Sequence, residues 1–148
     1  RGEQVEGGKP SGFEFDFTGK RVLLAEDNQL NAEIAKTLLE SRHFEVDTAA
    51  NGLQAMEMYT QKRTGYYSAI LMDIRMPLMD GLQACRNIRH WNKEDAKTIP
   101  IVAMTANAFD EDVEKSKAAG MNAHLAKPID PDLMYGTLYR LISEKEGF

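Results

Sequence analysis

Short apolar segments alternate with amphipathic segments five times along the chain, and this order constrains the fold more than any other feature. The apolar segments, typical of strands, are residues 22–25, 44–49, 67–72, 99–104 and 122–126. The segments with helical periodicity that follow them are residues 29–42, 52–62, 81–90, 110–119 and 130–143. Nearly continuous apolar character in the first, third and fourth strands favours burial on both sheet faces, as in parallel sheets. Five strand–helix units with right-handed crossovers predict a three-layer α/β domain.

Length and composition limit the classes of protein to which the chain can belong. With 148 residues, 43% hydrophobic and 28% charged, it is typical of one soluble globular domain. A closed (β/α)8 barrel needs eight units and about 250 residues, so an open, doubly wound sheet is favoured. Apolar runs fall far short of the roughly 18 residues that span a bilayer, so we expect no membrane contact by this domain. The net charge of −5 argues against direct nucleic-acid binding.

The N-terminal residues differ in composition from the rest of the chain. Residues 1–12 contain four glycines and a proline among charged residues, which predicts a flexible linker. Phe13, Phe15 and Phe17 alternate with acidic residues and would lie on one side of an extended segment. We favour a lead-in that packs on the domain's own surface over a strand that docks a partner. The boundaries are therefore a linker and lead-in at 1–19 and a folded domain at 20–148.

Polar side chains lie at the C-terminal ends of four predicted strands. Glu26 and Asp27 follow the first strand, Asp73 the third, Thr105 the fourth and Lys127 the fifth. Because the carboxyl ends of parallel strands meet at one edge, where open α/β sheets bind ligands, we expect these side chains to share one crevice.

The residue types in this crevice suit a divalent cation and a phosphoryl group. Any one acid alone would be an ordinary loop charge or helix cap, but three close carboxylates repel by roughly 1–4 kcal/mol per pair at 4 Å. A hard cation such as Mg2+ (or Mn2+) relieves that repulsion. An aspartyl carboxylate can accept a phosphoryl group, which makes Asp73 the candidate nucleophile. Lys127 could supply a positive charge and Thr105 a hydroxyl donor, although each alone would be an ordinary surface or turn residue.

Four segments around these residues closely resemble the receiver domain of two-component response regulators. The segments are residues 22–28, 71–81, 104–108 and 126–129. Their order and separations also match, and the resemblance runs from about Lys20 to Ser143. It implies a flavodoxin-like doubly wound (βα)5 sandwich with a parallel five-stranded sheet of order 2-1-3-4-5.

The resemblance assigns a role to each polar residue at the strand ends. Asp73 is implied to accept a phosphoryl group from a phosphohistidine on a partner protein, and Thr105 and Lys127 are implied to contact that group. The implied magnesium ligands are oxygen atoms of Glu26 (largely through water), Asp27, Asp73 and the main-chain carbonyl of Arg75.

Other residues are implied to shape the loops and to switch the domain. The loop-shaping residues are Pro77, Gly81 and Pro128, the last after a cis peptide bond to Lys127. Arg75 and Asn107 are implied to line the phosphate entrance. Phosphorylation would draw Thr105 inward and turn a switch residue, which here is His124 in place of the commoner Tyr or Phe. The alternative is that His124 is only a half-exposed strand residue.

The leading hypothesis is a phosphoacceptor signalling module that catalyses its own phosphorylation and slow dephosphorylation. A haloacid-dehalogenase-type phosphohydrolase would need a second Asp where Arg75 stands. A phosphorylation-independent pseudo-receiver would usually lack the acid pair or the acceptor, which are present here.

The expected partners are the phosphohistidine domain of a histidine kinase, a histidine phosphotransfer protein, or both. The chain is then either a stand-alone regulator or the C-terminal receiver of a hybrid histidine kinase. The N-terminal linker and the motifs at 26–28 and 104–108 favour the hybrid kinase. We expect a monomer or weak dimer. The single cysteine, Cys85, which we place in the core, favours a cytoplasmic location, including the cytosolic part of a membrane-bound kinase.

Overall fold

Strands and helices alternate strictly along the described part of the chain. The computed structural model describes residues 15–106 and 110–147, the second range with side chains from residue 112 onward. Within these ranges the strands are β1 (Arg21–Ala25), β2 (Glu45–Ala49), β3 (Ala69–Asp73), β4 (Ile101–Thr105) and β5 (Ala123–Ala126). The helices are α1 (Gln29–Glu40), α2 (Gly52–Gln61), α3 (Gly81–Arg89), α4 (Asp110–Ala119) and α5 (Pro131–Glu146).

The five strands form one parallel sheet of order β2-β1-β3-β4-β5, which confirms the predicted flavodoxin-like topology. In the centre of the sheet Ala25 pairs with Met72 and Asp73 pairs with Met104. Thr105 pairs with Ala126 at the next interface. The carboxyl ends of β1, β3, β4 and β5 therefore meet at one edge, and the predicted site residues lie there.

Two hydrophobic clusters cover the two faces of the sheet. Leu23 of β1 points into a cluster with α2 and α3, whereas its neighbours Val22 and Leu24 point into a cluster with α1 and α5. This division follows from the alternation of side chains along a strand. Cys85 of α3 is buried in the first cluster, as predicted.

The residues just before β1 are part of the second cluster. Phe17 is completely buried and stacks on Phe44 with 4.2 Å between ring centroids. Phe15 packs against the rings of Tyr135 and Tyr139 in α5, at 6.0 and 5.7 Å. At Phe15 and Phe17, therefore, the lead-in packs on the domain itself. Phe13 and the linker at residues 1–12 lie outside the described residues, and the boundary at residue 20 stays a prediction.

Two predicted element bounds differ from the observed ones for identifiable reasons. β4 begins at Ile101 and not at residue 99, because Pro100 has no N–H to donate to a neighbouring strand. α5 continues three residues past the predicted end at Ser143, and Gly147, which adopts a left-handed φ of 78°, caps its C-terminus. In the part of the chain that the structure describes, no helix combines the length and apolarity needed to cross a membrane.

Several large apolar side chains on the helices are exposed. Ile34, Leu53 and Leu133, which helical periodicity assigns to the apolar faces of their helices, are 52%, 36% and 57% exposed. Leu53 and Leu133 lie in the first turns of α2 and α5, next to the carboxyl edge of the sheet, and Ile34 borders an open groove. Trp91, just after the end of α3, is 45% exposed.

Candidate functional site

Three carboxylates converge at the carboxyl edge of the two central strands. Glu26 and Asp27 directly follow β1, and Asp73 is the last residue of the adjacent strand β3. One carboxylate oxygen of each lies within 4.8 Å of the others. Glu26 and Asp73 are buried, whereas Asp27 is exposed, so the cluster opens to solvent on the side of Asp27.

Lys127 spans two of these carboxylates. Its Nζ lies 2.8 Å from Oε1 of Glu26 and 2.8 Å from Oδ2 of Asp73. Lys127 directly follows β5, and its peptide bond to Pro128 is cis, as the resemblance implies. The main-chain N–H of Lys127 donates to the carbonyl of Thr105 at 2.8 Å, which fixes the start of this loop to the end of β4.

The pKa values of Glu26 and Lys127 are both raised, but by different causes. Burial raises the pKa of Glu26, and the negative charge of Asp73 adds to this, against hydrogen bonds from Lys127 and from the N–H of Asn28. Burial alone would lower the pKa of Lys127, but hydrogen bonds to Asp73 and Glu26 outweigh it and raise the pKa. The lysine therefore stays charged and offsets part of the negative charge of the cluster.

The donor set fits a hard divalent cation. Oxygen atoms of carboxylates are what Mg2+ prefers, and three of them are close enough to share one ion. Two backbone N–H groups orient the acids: Asn28 donates to Oε2 of Glu26 at 3.1 Å, and Arg75 donates to Oδ1 of Asp73 at 3.2 Å. That hydrogen bond places the Arg75 peptide beside Asp73, and the role of its carbonyl as a ligand stays a prediction.

Thr105 and the loop after Asp73 complete the surroundings. Thr105 is the buried last residue of β4, one position past the partner of Asp73. The N–H of Gly81 donates to the carbonyl of Ile74 at 2.8 Å, and a Cβ atom at Gly81 would collide with the carbonyl of Asp73. Pro77 lines a cleft beside the acid cluster, together with Asp27 and Arg75 among others.

Among the described residues, His124 is not brought into the site. His124 is a half-buried residue of β5 that pairs with Ala103 and lines a separate groove between α4 and α5 with Lys117 and Arg140. Its switch role stays a prediction. Asn107 lies outside the described residues.

An apolar groove beside Lys127 was not predicted from the sequence. It has a volume of about 370 Å³, and besides Glu26 and Lys127 its walls include Ile34, Ala35 and Ile129. The sequence signal for this groove was a second apolar stripe on α1. Leu30 and Ile34 are four residues apart, and both are exposed.

Comparisons with known proteins agree on the family. The family model for the response regulator receiver domain matches residues 22–139. Hybrid signal transduction histidine kinase I of Dictyostelium discoideum is 41% identical over 118 residues, covering 78% of this chain and 7% of that protein. Peroxide stress-activated histidine kinase mak1 of Schizosaccharomyces pombe is 42% identical over 113 residues, covering 76% of this chain and 7% of that protein. The chain thus spans less than a tenth of the length of these relatives.

A solved structure gives the same assignment. The receiver domain of sensor histidine kinase PA1611 from Pseudomonas aeruginosa PAO1 has a TM-score of 0.76 and 40% identity to this chain. The similarity covers 85% of this chain and 99% of that domain. That crystal structure holds a magnesium ion coordinated in the active site cleft.

Proposed function

Because the chain belongs to the response regulator receiver family, we propose that Asp73 accepts a phosphoryl group from a phosphohistidine and holds it as an acyl phosphate. The observation that carries this proposal is the position of Lys127, which contacts Asp73 and Glu26 at 2.8 Å each while Asp27 completes the acid cluster. The reaction centre is then surrounded by a nucleophilic carboxylate, the ammonium group of Lys127 and a set of metal-binding oxygens.

The transfer uses an oxygen of Asp73 as the nucleophile. A bond forms between that oxygen and phosphorus, the bond between phosphorus and the imidazole nitrogen breaks, and the electron pair returns to the imidazole. The backbone N–H of Arg75 orients Oδ1 of Asp73, and Lys127 holds Oδ2. After transfer, Lys127 pairs with the phosphoryl oxygens and Thr105 donates its hydroxyl to one of them.

Glu26, Asp27 and Asp73, with the carbonyl of Arg75, are the proposed ligands of Mg2+ or Mn2+. The bound cation would neutralise negative charge on the transferring phosphoryl group. Support comes from the three carboxylate oxygens within 4.8 Å and from the magnesium ion in the similar receiver structure.

The proposed partner is a domain that carries a phosphohistidine, either in a histidine kinase or in a histidine phosphotransfer protein. Such a domain has to bring its imidazole to Asp73 and so covers the residues around it. Leu30, Ile34 and Leu133 flank the site and are 69%, 52% and 57% exposed, which suits an apolar contact.

We place this receiver in a hybrid histidine kinase, from which it passes its phosphoryl group to a histidine phosphotransfer protein. The two similar kinases, of which the matching region forms 7% each, support this placement. In this proposal residues 1–19 connect the receiver to the rest of the protein, in the cytoplasm. The phosphohydrolase alternative is not favoured, since the family match and Arg75 oppose it, and the pseudo-receiver alternative is not favoured because the acid cluster is intact.

Intact mass spectrometry tests the phosphoacceptor role. The wild-type chain is incubated with acetyl phosphate and Mg2+, in parallel with Asp73→Asn and with a sample containing excess chelator. We expect the mass of one phosphoryl group to be added only to the wild-type chain with Mg2+. An unmodified wild-type chain would contradict the proposal, and a modified Asp73→Asn variant would place the acceptor elsewhere.

A further inference from the structure

Leu78 is the most exposed large apolar side chain in the described residues. It is 81% exposed and lies in the loop between β3 and α3, five positions after Asp73. An isolated exposed leucine needs no explanation by itself. The backbone at this position supplies a second observation.

Leu78 adopts a backbone conformation that disfavours a leucine. Its φ is 67°, and among the described residues only His43 is another non-glycine residue with positive φ. The N–H of Met79 donates to the carbonyl of Pro77 at 2.7 Å and closes a tight turn around Leu78. Glycine or asparagine adopts such a conformation at lower cost than a branched apolar side chain. Leu78 is therefore unfavourable both in its conformation and in its exposure.

The turn that carries Leu78 is held on both sides. The carbonyl of Met79 accepts the N–H of Gly52 at 2.9 Å, and a Cβ atom at Gly52 would collide with that carbonyl. Gly81 is bonded to Ile74 at the other end of the loop. The leucine thus projects from a fixed base, and little backbone conformational freedom would be lost when a partner covers it.

The position of Leu78 indicates what would cover it. Pro77, the preceding residue, lines the cleft beside Asp27. Like Leu30 and Leu133, Leu78 follows the carboxyl end of a strand, where the acceptor Asp73 lies, whereas exposed Trp91 follows the C-terminal end of α3. A phosphohistidine domain that reaches Asp73 has to approach this edge.

We propose that Leu78 is a contact residue for the phosphohistidine domain and packs against an apolar patch beside the phosphohistidine of that domain. This inference rests on the proposed function. It explains why a residue that is unfavourable in the free domain occupies a rigid turn at the edge of the acceptor site.

The test compares a large donor with a small one. The large donor is the phosphorylated histidine phosphotransfer domain that, within a panel of such isolated domains, transfers fastest to the wild-type chain. The small donor is acetyl phosphate. Leu78→Asn and Leu78→Gly are compared with Trp91→Asn, which removes an exposed apolar side chain at the opposite end of the sheet.

For both Leu78 variants we expect the transfer rate from the large donor to fall about tenfold below that of the wild-type chain. The rate of labelling by acetyl phosphate should be unchanged, and the melting temperature should rise. Trp91→Asn should transfer at the wild-type rate. Wild-type transfer rates in the Leu78 variants, or an equal loss with acetyl phosphate, would overturn the inference. If acetyl phosphate labels the wild-type chain but no panel member does, the proposed partner and this inference both fail. If neither donor labels it, the acceptor role itself fails.

Discussion

The Nζ atom of Lys127 lies 2.8 Å from Oδ2 of Asp73, although the two residues are 54 positions apart in the chain. β5 and β3 are separated by β4 in the sheet, so the lysine side chain reaches across the end of β4 to Asp73. The same ammonium group contacts Glu26. Lys127 therefore contacts both the proposed nucleophile and one of the proposed metal ligands.

Replacing Lys127 by glutamine should change metal binding and phosphorylation in opposite directions. Without the ammonium group the acid cluster attracts a cation more strongly, so we expect Mg2+ to bind about tenfold more tightly, corresponding to about 1.4 kcal/mol. Labelling by acetyl phosphate should slow by tenfold or more, on the order of the effect of one charged donor at a reacting phosphoryl group. Calorimetric titration and intact mass spectrometry measure the two effects. Lys117→Gln, at an exposed lysine of α4, is the matched control, and weaker Mg2+ binding in Lys127→Gln would contradict this account.

Replacing Asp27 by asparagine should stabilise the metal-free domain and abolish its response to metal. The substitution removes one of three close negative charges, so the melting temperature without metal should rise by about 2–4 °C. Added Mg2+ should then no longer raise it, because a carboxylate ligand is missing. Thermal unfolding with and without Mg2+ checks both points, with Asp132→Asn on the surface of α5 as control. A variant that Mg2+ stabilises as much as the wild-type chain would show that Asp27 is not a ligand.

Replacing Phe17 by alanine should destabilise the domain by about 3–5 kcal/mol. The side chain is completely buried and stacks on Phe44, so its loss leaves a cavity in the cluster that α1 and α5 share. The free energy of unfolding is measured by urea denaturation. Leu30→Ala, at a residue 69% exposed, should change it by about 0.5 kcal/mol or less. A small effect of Phe17→Ala would mean that the lead-in is dispensable for folding.

The domain should lose stability as the pH rises above about 9. Burial raises the pKa of Cys85 from 9.0 to about 11, and burial followed by hydrogen bonds to Asp95 and Asp47 raises the pKa of Tyr59 and Tyr67. Each group ionises at a lower pH in the unfolded chain than in the folded one, so its contribution is complete below the unfolded pKa and is lost as the pH rises through the folded pKa. For Cys85 the window is pH 9 to about 11.

Urea denaturation across this range provides the measurement. The free energy of unfolding should fall steadily from about pH 9, and the Cys85→Ala variant should show a shallower fall, because the contribution of the thiol is then missing. In the native domain at pH 8 the thiol should also react with alkylating reagents about a hundred times more slowly than in the unfolded chain. A stability that is constant over the whole window would contradict the assignment.

The sequence predicted the elements of the fold better than their exposure. Alternating strand and helix patterns are local, so all ten elements were found within a few residues of the observed bounds. Strand order depends on distant pairings such as Ala25 with Met72, and it came from the family resemblance. Periodicity also cannot distinguish a helix face that packs on the sheet from one that borders a groove, so it does not reveal that Ile34 and Leu133 are exposed.

In the site, too, local features could be predicted from the sequence, whereas contacts between distant residues could not. The acids after β1 and β3 could be predicted because strand ends are local features and parallel strands end together. The contact between Lys127 and Glu26 could not be predicted, since it joins the ends of two strands that are not neighbours in the sheet. The positive φ of Leu78 was also invisible, because leucine is not a residue that predicts a left-handed turn.

Borohydride trapping of the phosphorylated chain tests the central claim most directly. Borohydride reduces an aspartyl acyl phosphate to homoserine, and peptide mass spectrometry then locates the modified residue. After phosphorylation by acetyl phosphate with Mg2+, this account predicts homoserine at position 73 and nowhere else. Trapped homoserine at position 27, or a stable phosphoryl group on another residue with Asp73 unchanged, would contradict it.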